Sequence, residues 1–299
     1  MSSDVAVAVA VVTYDALPWI EPCLASVERY ETVVVDHGST DGTLDVVRER
    51  FPRARVLERE NRGLAAGWNA GLAATSSRYV LLLNSDAWAR GEAVDELVRF
   101  ADSHPRAAVV APRLRNPDGS LQRSVRGFPT LWRLATEYLF VRKLAPRSEA
   151  LNASYAGSFD HDEPRRVDWA MGAVLLVRRE AVDAVGPADE SFFLFSEETD
   201  WCYRFHLARW EVWFDPDAEF EHIGAASHGG RMYVENLRGN LRYFTKHFGP
   251  AEAERARRLL LAGVRLRALL FPRERAYGYR EAARWLSSGH ASSLLDAPR

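Results

Sequence analysis

Residues 32–43 read Thr-Val-Val-Val-Asp-His-Gly-Ser-Thr-Asp-Gly-Thr. Four β-branched residues in a row predict a short buried strand. Asp36 ends that strand, a Gly/Ser/Thr loop follows, and residues 43–51 carry a helical pattern. A carboxylate at a strand tip can accept hydrogen bonds from a base or a ribose, and Gly38 lets the backbone come close to a ligand. A plainer use of the same loop is helix capping, with Thr40 or Asp41 satisfying free amides. The two uses are compatible. The G-x-G-x-x-G dinucleotide fingerprint and the P-loop are both absent.

Working outward, further apolar runs stand at residues 5–12, 56–58, 79–83 and 108–111, and helical patterns at 19–29, 64–74 and 93–103. Short apolar strands alternating with amphipathic helices predict an α/β fold: a mostly parallel, doubly wound sheet with helices on both faces. Such sheets bind ligands outside the carboxyl ends of their strands. Three polar clusters stand there: Thr13-Tyr14-Asp15, the Asp36 loop, and Asn84-Ser85-Asp86. They are expected to share one crevice. His37, beside Asp36, is expected either to touch a ligand or to face water.

The second half changes character. Asn116-Pro117-Asp118-Gly119 predicts a hairpin tip. Residues 131–141 predict an amphipathic helix, 148–166 a mobile polar loop, and 167–178 a strand. Ser196 followed by Glu197, Glu198 and Asp200 predicts a capped helix start. Residues 212–214 and 218–220 predict two short strands leading to His222, with a flexible loop at 227–230. From residue 230 onward the pattern is helical.

Composition limits the alternatives. The chain has 299 residues, 47% hydrophobic, enough for a sizeable core. A net charge of −2 excludes a strongly basic nucleic-acid binder. Two cysteines without metal-site spacing point to a reducing cytoplasm. No apolar run is long enough to span a bilayer, and the N-terminus has no secretory-signal pattern.

Three features carry chemistry, each with a plainer counterpart. Asp86, at the tip of an apolar strand, can hold a divalent cation, or it can cap the next helix. Clustered carboxylates repel one another, so one of Glu197, Glu198 and Asp200 can serve as a general base, or all three can complement a helix dipole. His222, at a strand end before glycines, can be a ligand or a structural histidine.

The order of the motifs is what distinguishes them: Thr13-Tyr14, residues 36–43, Asn61-Arg62-Gly63 with Asn69 and Gly71, Asn84-Ser85-Asp86, Gly172-Ala173, residues 197–201, and His222. Over about residues 5–245 this order resembles the inverting glycosyltransferases of family 2, with the GT-A fold, and among them the rhamnosyltransferase-like members. The resemblance implies a catalytic domain over 1–230 and a helical C-terminal extension over 231–299. The nucleotide-sugar half is about 1–112 and the acceptor half about 113–230. It implies that Thr13, Tyr14, Asp36 and Gly38 line the base and ribose pocket. Arg62, Gly63 and Asn69 lie beneath the nucleotide and sugar, and Asn84 and Ser85 also belong to the nucleotide-sugar-binding set. Asp86 and His222 bind Mg²⁺ or Mn²⁺. Asn84 stands where the family's first metal-motif Asp can stand, leaving Asp86 as that motif's single carboxylate. Glu198 matches the base, where Asp is usual, with Glu197 as the alternative and Asp200 placing it.

The implied reaction is a single displacement with inversion. It moves a sugar, dTDP-rhamnose being the favoured donor, to a cell-envelope or lipid-linked glycan. A UDP-hexose or UDP-N-acetylhexosamine donor is the alternative within enzymes. A non-catalytic nucleotide-sugar-binding subunit is disfavoured because Asp36, Asp86, Glu198 and His222 are all present. A nucleotidyltransferase is disfavoured because residues 13–17 lack a glycine-rich basic loop. The Arg/Leu-rich tail over 252–284 fits peripheral contact with the inner face of a membrane. A helical hairpin with solvated arginines, or a homodimer interface, is the other reading of that tail.

Overall fold

In the computed structural model, which describes residues 6–145, 148, 151, 159–224, 230–289 and 291, the early apolar runs all become strands. The strands β1 (Val7–Thr13), β2 (Glu31–Asp36), β3 (Arg55–Glu58) and β4 (Tyr79–Asn84) pair in parallel in the order β3-β2-β1-β4. Both faces are covered, as continuous apolar strands require. Val7, Val9, Val11, Leu81 and Leu83 pack on one face, against α1 (Ile20–Val27), α2 (Thr43–Arg50) and α4 (Ala93–Ser103). Ala10, Val12, Val80 and Leu82 pack on the other, against α3 (Leu64–Ala73). The alanine of β1 and the glycines of α3 explain that close approach. A Cβ at Gly71 would lie 2.5 Å from the Ala10 Cβ.

Beyond β4 the order continues β11 (Val174–Arg178), β6 (Ala107–Arg115), β12 (Glu211–His222) and β5 (Ala87–Ala89). Strand β11 is antiparallel to both neighbours, while β6 and β12 are parallel. The sheet is therefore mostly parallel with one reversed strand inside it. Three expectations need correction. Residues 167–178 are not one strand: they contribute to β9 (Arg165–Val167), β10 (Trp169–Ala170) and β11. Residues 212–214 and 218–220 are not two strands but parts of β12, whose register against β6 shifts between Asp215 and Glu219. That shift interrupts the apolar alternation and made one strand read as two. The helix expected over 131–141 is α5 (Leu131–Tyr138), and a 3₁₀ turn (Val141–Leu144) follows it.

The Asn116–Gly119 turn connects β6 to β7 (Leu121–Gln122), and β8 (Val125–Arg126) follows and pairs with β10. Gly119 takes the left-handed conformation the turn requires (φ +80°). Helices α6 (Arg179–Val185) and α7 (Glu197–Leu207) cover the α3 side of the sheet. Helices α8 (Gly230–Phe248), α9 (Pro250–Leu270) and α10 (Arg273–Leu286) share a third core with α5, built on Leu134, Leu237, Leu241, Phe244, Leu260 and Val264. The flexible loop expected at 227–230 and most of the loop expected over 148–166 lie outside the described residues. Cys23 and Cys202 are buried, unpaired thiols. No helix of the described residues is long and apolar enough to cross a membrane.

Candidate active site

Sheet register brings the strand tips level. Thr13 pairs with Asp36, and Val12 with Asn84. The two loops beyond β1 and β2 are knitted together by side chains. The Asp36 carboxylate accepts from the Gly38 and Ser39 amides at 2.9 and 3.0 Å and from the Ser39 hydroxyl. Thr40 N–H donates to Asp15, Leu17 N–H to Asp41, and Ala16 N–H to the Thr43 hydroxyl. Asp41 also accepts from Thr43 N–H at the start of α2 and so satisfies one free amide there, while the N-cap position itself is Gly42. Asp36 thus holds its own loop in shape. His37 does not face water. It is buried with Gly67 of α3 near its ring, and burial lowers its pKa. Tyr14 stands exposed above this floor, and the buried Thr13 hydroxyl has no hydrogen-bond partner.

Asp86 and His222 meet where β5 pairs with β12, one residue beyond Asp86. Asp86 Oδ1 lies 3.4 Å from His222 Nε2, and its Oδ2 accepts from Gly224 N–H at 3.1 Å. Burial disfavours the Asp86 carboxylate, but His222 and the Gly224 amide outweigh it and hold its pKa below the ordinary range. The histidine's other nitrogen, Nδ1, lies 2.6 Å from Gln122 Oε1. The Gln122 amide nitrogen donates to Asn116 Oδ1 and to the His222 carbonyl, which turns its oxygen toward the ring. Nδ1 therefore donates to Gln122, and Nε2 is the nitrogen that faces Asp86. One carboxylate beside one imidazole with a fixed tautomer suits Mg²⁺ or Mn²⁺. Among the described residues no third His, Cys, Asp or Glu completes a group of three that could hold a metal ion. Sequence reasoning missed Gln122, since its partner lies 100 residues away.

The acidic motif opens α7. Its start is not a serine cap. Phe195 and Ser196 both adopt left-handed conformations (φ +67° and +73°), and the Ser196 side chain caps nothing. Two such non-glycine residues in succession are strained and need outside support. Gly239 of α8 is part of that support: a Cβ there would lie 2.5 Å from the Phe195 carbonyl.

The three carboxylates then diverge. Asp200 is fully buried and fully paired, with Arg204 at 3.0 Å, Lys246 at 2.8 Å and His247 at 2.7 Å. Burial works against its ionisation, but these partners hold its pKa below the ordinary value. Glu197 and Glu198 are buried too, and each has an oxygen with no partner. Burial raises the Glu198 carboxyl to about 7. Burial and the adjacent Glu198 charge push Glu197 well above the ordinary carboxylate range. Burial thus favours the protonated form of Glu197 and Glu198, while the partners of Asp200 favour its anion.

Arg62, Gly63 and Asn69 tie the nucleotide-side helix to the acidic motif. Arg62 pairs with Glu190 at 3.2 Å, and Leu64 N–H donates to the Phe193 carbonyl at 2.9 Å. A Cβ on Gly63 would collide with that same backbone. Asn69 hydrogen-bonds both backbone polar groups of Ala188 and the Glu190 carboxylate. Expected beneath a sugar, these residues have as their visible partners the segment leading into α7.

A mostly parallel sheet gathering carboxylates at its strand tips, braced to an acidic helix start, defines a GT-A glycosyltransferase architecture. The fold is shared with solved structures at low identity. A mannosyltransferase from Pyrobaculum calidifontis, in complex with GDP-Man and Mn²⁺, matches with TM-score 0.57 at 18% identity. The match covers 97% of this chain and 86% of that one. GalNAc-T7 with UDP, GalNAc and Mn²⁺ matches with TM-score 0.59 at 14% identity, covering 99% and 58%. The family model for Glycosyl transferase family 2 matches residues 8–158. An N-acetylglucosaminyl-diphospho-decaprenol L-rhamnosyltransferase of Mycobacterium tuberculosis is 34% identical over 239 residues, 74% of this chain and 77% of that protein. The chain belongs to glycosyl transferase family 2: it is a rhamnosyltransferase-like transferase.

Proposed function

We propose that this protein transfers L-rhamnose from dTDP-rhamnose to a hydroxyl of a lipid-linked glycan at the inner face of the plasma membrane. Donor and acceptor rest on one observation, the 34% identity across three quarters of the chain to a transferase named for rhamnose and a diphospho-decaprenol acceptor. The chain would divide into a nucleotide-sugar half (about 1–112), an acceptor half (about 113–230) and a helical extension (231–299).

Tyr14 offers an exposed ring to the base, and the rigid Asp36–Gly38 loop shapes the base and ribose pocket. Thr13, Asn84 and Ser85 lie at the same strand tips. Asp86 and His222 Nε2 would hold a divalent cation, which when bound neutralises charge on the leaving diphosphate. Gln122 keeps His222 in the tautomer that leaves Nε2 free. Glu198, desolvated and unpaired, accepts the proton of the acceptor hydroxyl as that oxygen attacks the anomeric carbon opposite the diphosphate. Burial and the Glu198 charge favour the protonated form of Glu197, which spares Glu198 a second negative neighbour. Asp200 holds the helix rather than touching substrate. Arg62, Gly63 and Asn69 fix the distance between the donor floor and the base.

Thermal shift against dTDP, UDP and GDP, with and without Mn²⁺, tests the reading. A ligand that binds only the folded state raises the melting temperature. The expected result is metal-dependent stabilisation by dTDP, abolished in Asp86→Ala. A shift with UDP or GDP alone would replace the donor, and no shift with any of the three would sink the transferase reading of the pocket.

A further inference from the structure

We propose that the corner formed by the 3₁₀ turn Val141–Leu144 and the α9–α10 junction docks on an anionic lipid surface. Its biological sense rests on the lipid-linked acceptor proposed above, but the observations are independent of it. Five of the ten large apolar side chains left exposed in the described residues, Trp132, Leu144, Leu269, Leu270 and Tyr277, belong to α5, the 3₁₀ turn and the α9–α10 region, with Leu144 84% and Leu269 83% exposed. Leucines so open to water are a standing cost that burial in an apolar phase relieves.

The two parts of the corner are more than 120 residues apart in sequence and are held together firmly. The Phe140 and Phe271 rings lie 6.1 Å apart, and Phe271 contacts Tyr279 at 5.7 Å. The Arg267 guanidinium donates to the carbonyls of Glu137 and Tyr138 and lies over the Phe140 ring. Gly263 lets α9 press on Tyr138, where a Cβ would lie 2.6 Å from the tyrosine Cβ.

Charge decides the occupant. No acidic residue stands between Glu137 and Glu149, or between Glu254 and Glu274. Several cations of these stretches are already engaged: Arg142 with Glu137, Arg257 and Arg258 with Glu254, and Arg267 with carbonyls. Lys143 and Arg265 are exposed and make no ion pair with a described residue. A two-fold dimer would turn this patch onto itself and set these cations against their own copies. An anionic headgroup layer neutralises them while its acyl boundary takes the leucines. With no helix of the described residues able to cross, the proposed contact is lateral.

The test is sedimentation of the full chain with vesicles, either phosphatidylcholine alone or mixed with phosphatidylglycerol. The expected result is at least tenfold tighter binding to the anionic vesicles, weakening as salt rises. Leu269→Asp/Leu270→Asp and, separately, Lys143→Glu/Arg265→Glu should each lower that binding at least tenfold. Leu144→Asp, a change at a nearly free side chain, serves if the double variant does not fold. Equal binding to both vesicle types, no binding, or variants that bind as the parent does would overturn the proposal. So would a dimer in analytical ultracentrifugation that the same variants dissociate, since a second copy would then cover the corner. Nucleotide-induced thermal shift is read on the same samples. Loss of vesicle binding with that shift intact strikes the docking surface alone, and loss of the shift with vesicle binding intact strikes the donor pocket alone.

Discussion

Asp86 is a partly buried carboxylate and Glu198 a buried one, and their surroundings differ in kind. Asp86 sits at a strand tip with a histidine on one oxygen and a backbone amide on the other. Glu198 sits in the first turn of a helix with an oxygen that nothing satisfies. The first environment favours the anion, the second the acid. A carboxylate that must hold a cation is best kept ionised, while one that must take up a proton near neutrality is best kept unsatisfied. Asp200, two residues beyond Glu198, makes the same point within one helix turn: Arg204, Lys246 and His247 saturate it.

The largest expected effect breaks the unsatisfied side of this comparison. Glu198→Gln keeps the shape and removes the proton acceptor, so transfer should fall by roughly 10²–10⁴. Nucleotide-induced thermal shift should be unchanged. The parent's transfer rate should rise with pH through about 7 as Glu198 ionises. Over the interval from 4.5 to about 7 the folded state holds a proton the unfolded chain has lost, so this group's contribution to stability falls as pH rises. Full transfer by Glu198→Gln, or a flat profile across pH 6–8, would remove Glu198 from the reaction.

Next comes the saturated neighbour. Asp200→Asn should cost about 3 kcal/mol of stability, near the lower end for a broken buried pair because Lys246 and Arg204 reach water. Denaturant unfolding reads this directly. The sign with pH is the reverse of Glu198. The contribution of Asp200 is present above its unfolded pKa of 3.8 and is lost as pH falls through its lower folded value. If Asp200→Asn unfolds like the parent yet loses transfer, Asp200 acts on substrate and not on the fold.

The smallest effect sharpens the Asp86 side. Gln122→Leu removes the acceptor for His222 Nδ1–H, and Mn²⁺ affinity followed by electron paramagnetic resonance should weaken by about 10–100-fold. Gln122→Glu, which still accepts that proton, should bind close to the parent. Equal Mn²⁺ binding by Gln122→Leu would mean that the ring needs no such partner.

The strand tips were legible in the sequence because a parallel sheet enforces a local rule. An apolar run of five to seven residues must end, and whatever follows it stands at the carboxyl edge. Thr13, Asp36, Asn84 and Asp86 could be placed by that rule alone, and the motif order supplied His222 and Glu198. The interruptions were not legible. Strand β11 enters the sheet between β4 and β6 from more than 90 residues away, and the register shift in β12 hides one strand as two. Nor could spacing tell Glu198 from Asp200. Both are acids in the same first turn, and the partners that separate them, Lys246 and His247, come from the end of α8.

The α/β architecture, the polar tips of its strands and the residue types offered for chemistry follow from local pattern, because burial patterns and turn residues act over a few neighbouring positions. Packing in three dimensions settles which carboxylates are satisfied and which are not, that Gln122 fixes the face of His222, and that two distant segments form one exposed corner. Hydrogen bonds, ion pairs and desolvation depend on what lies within a few ångströms in space. Residues far apart in the chain reach that range only once the sheet and its helices have packed.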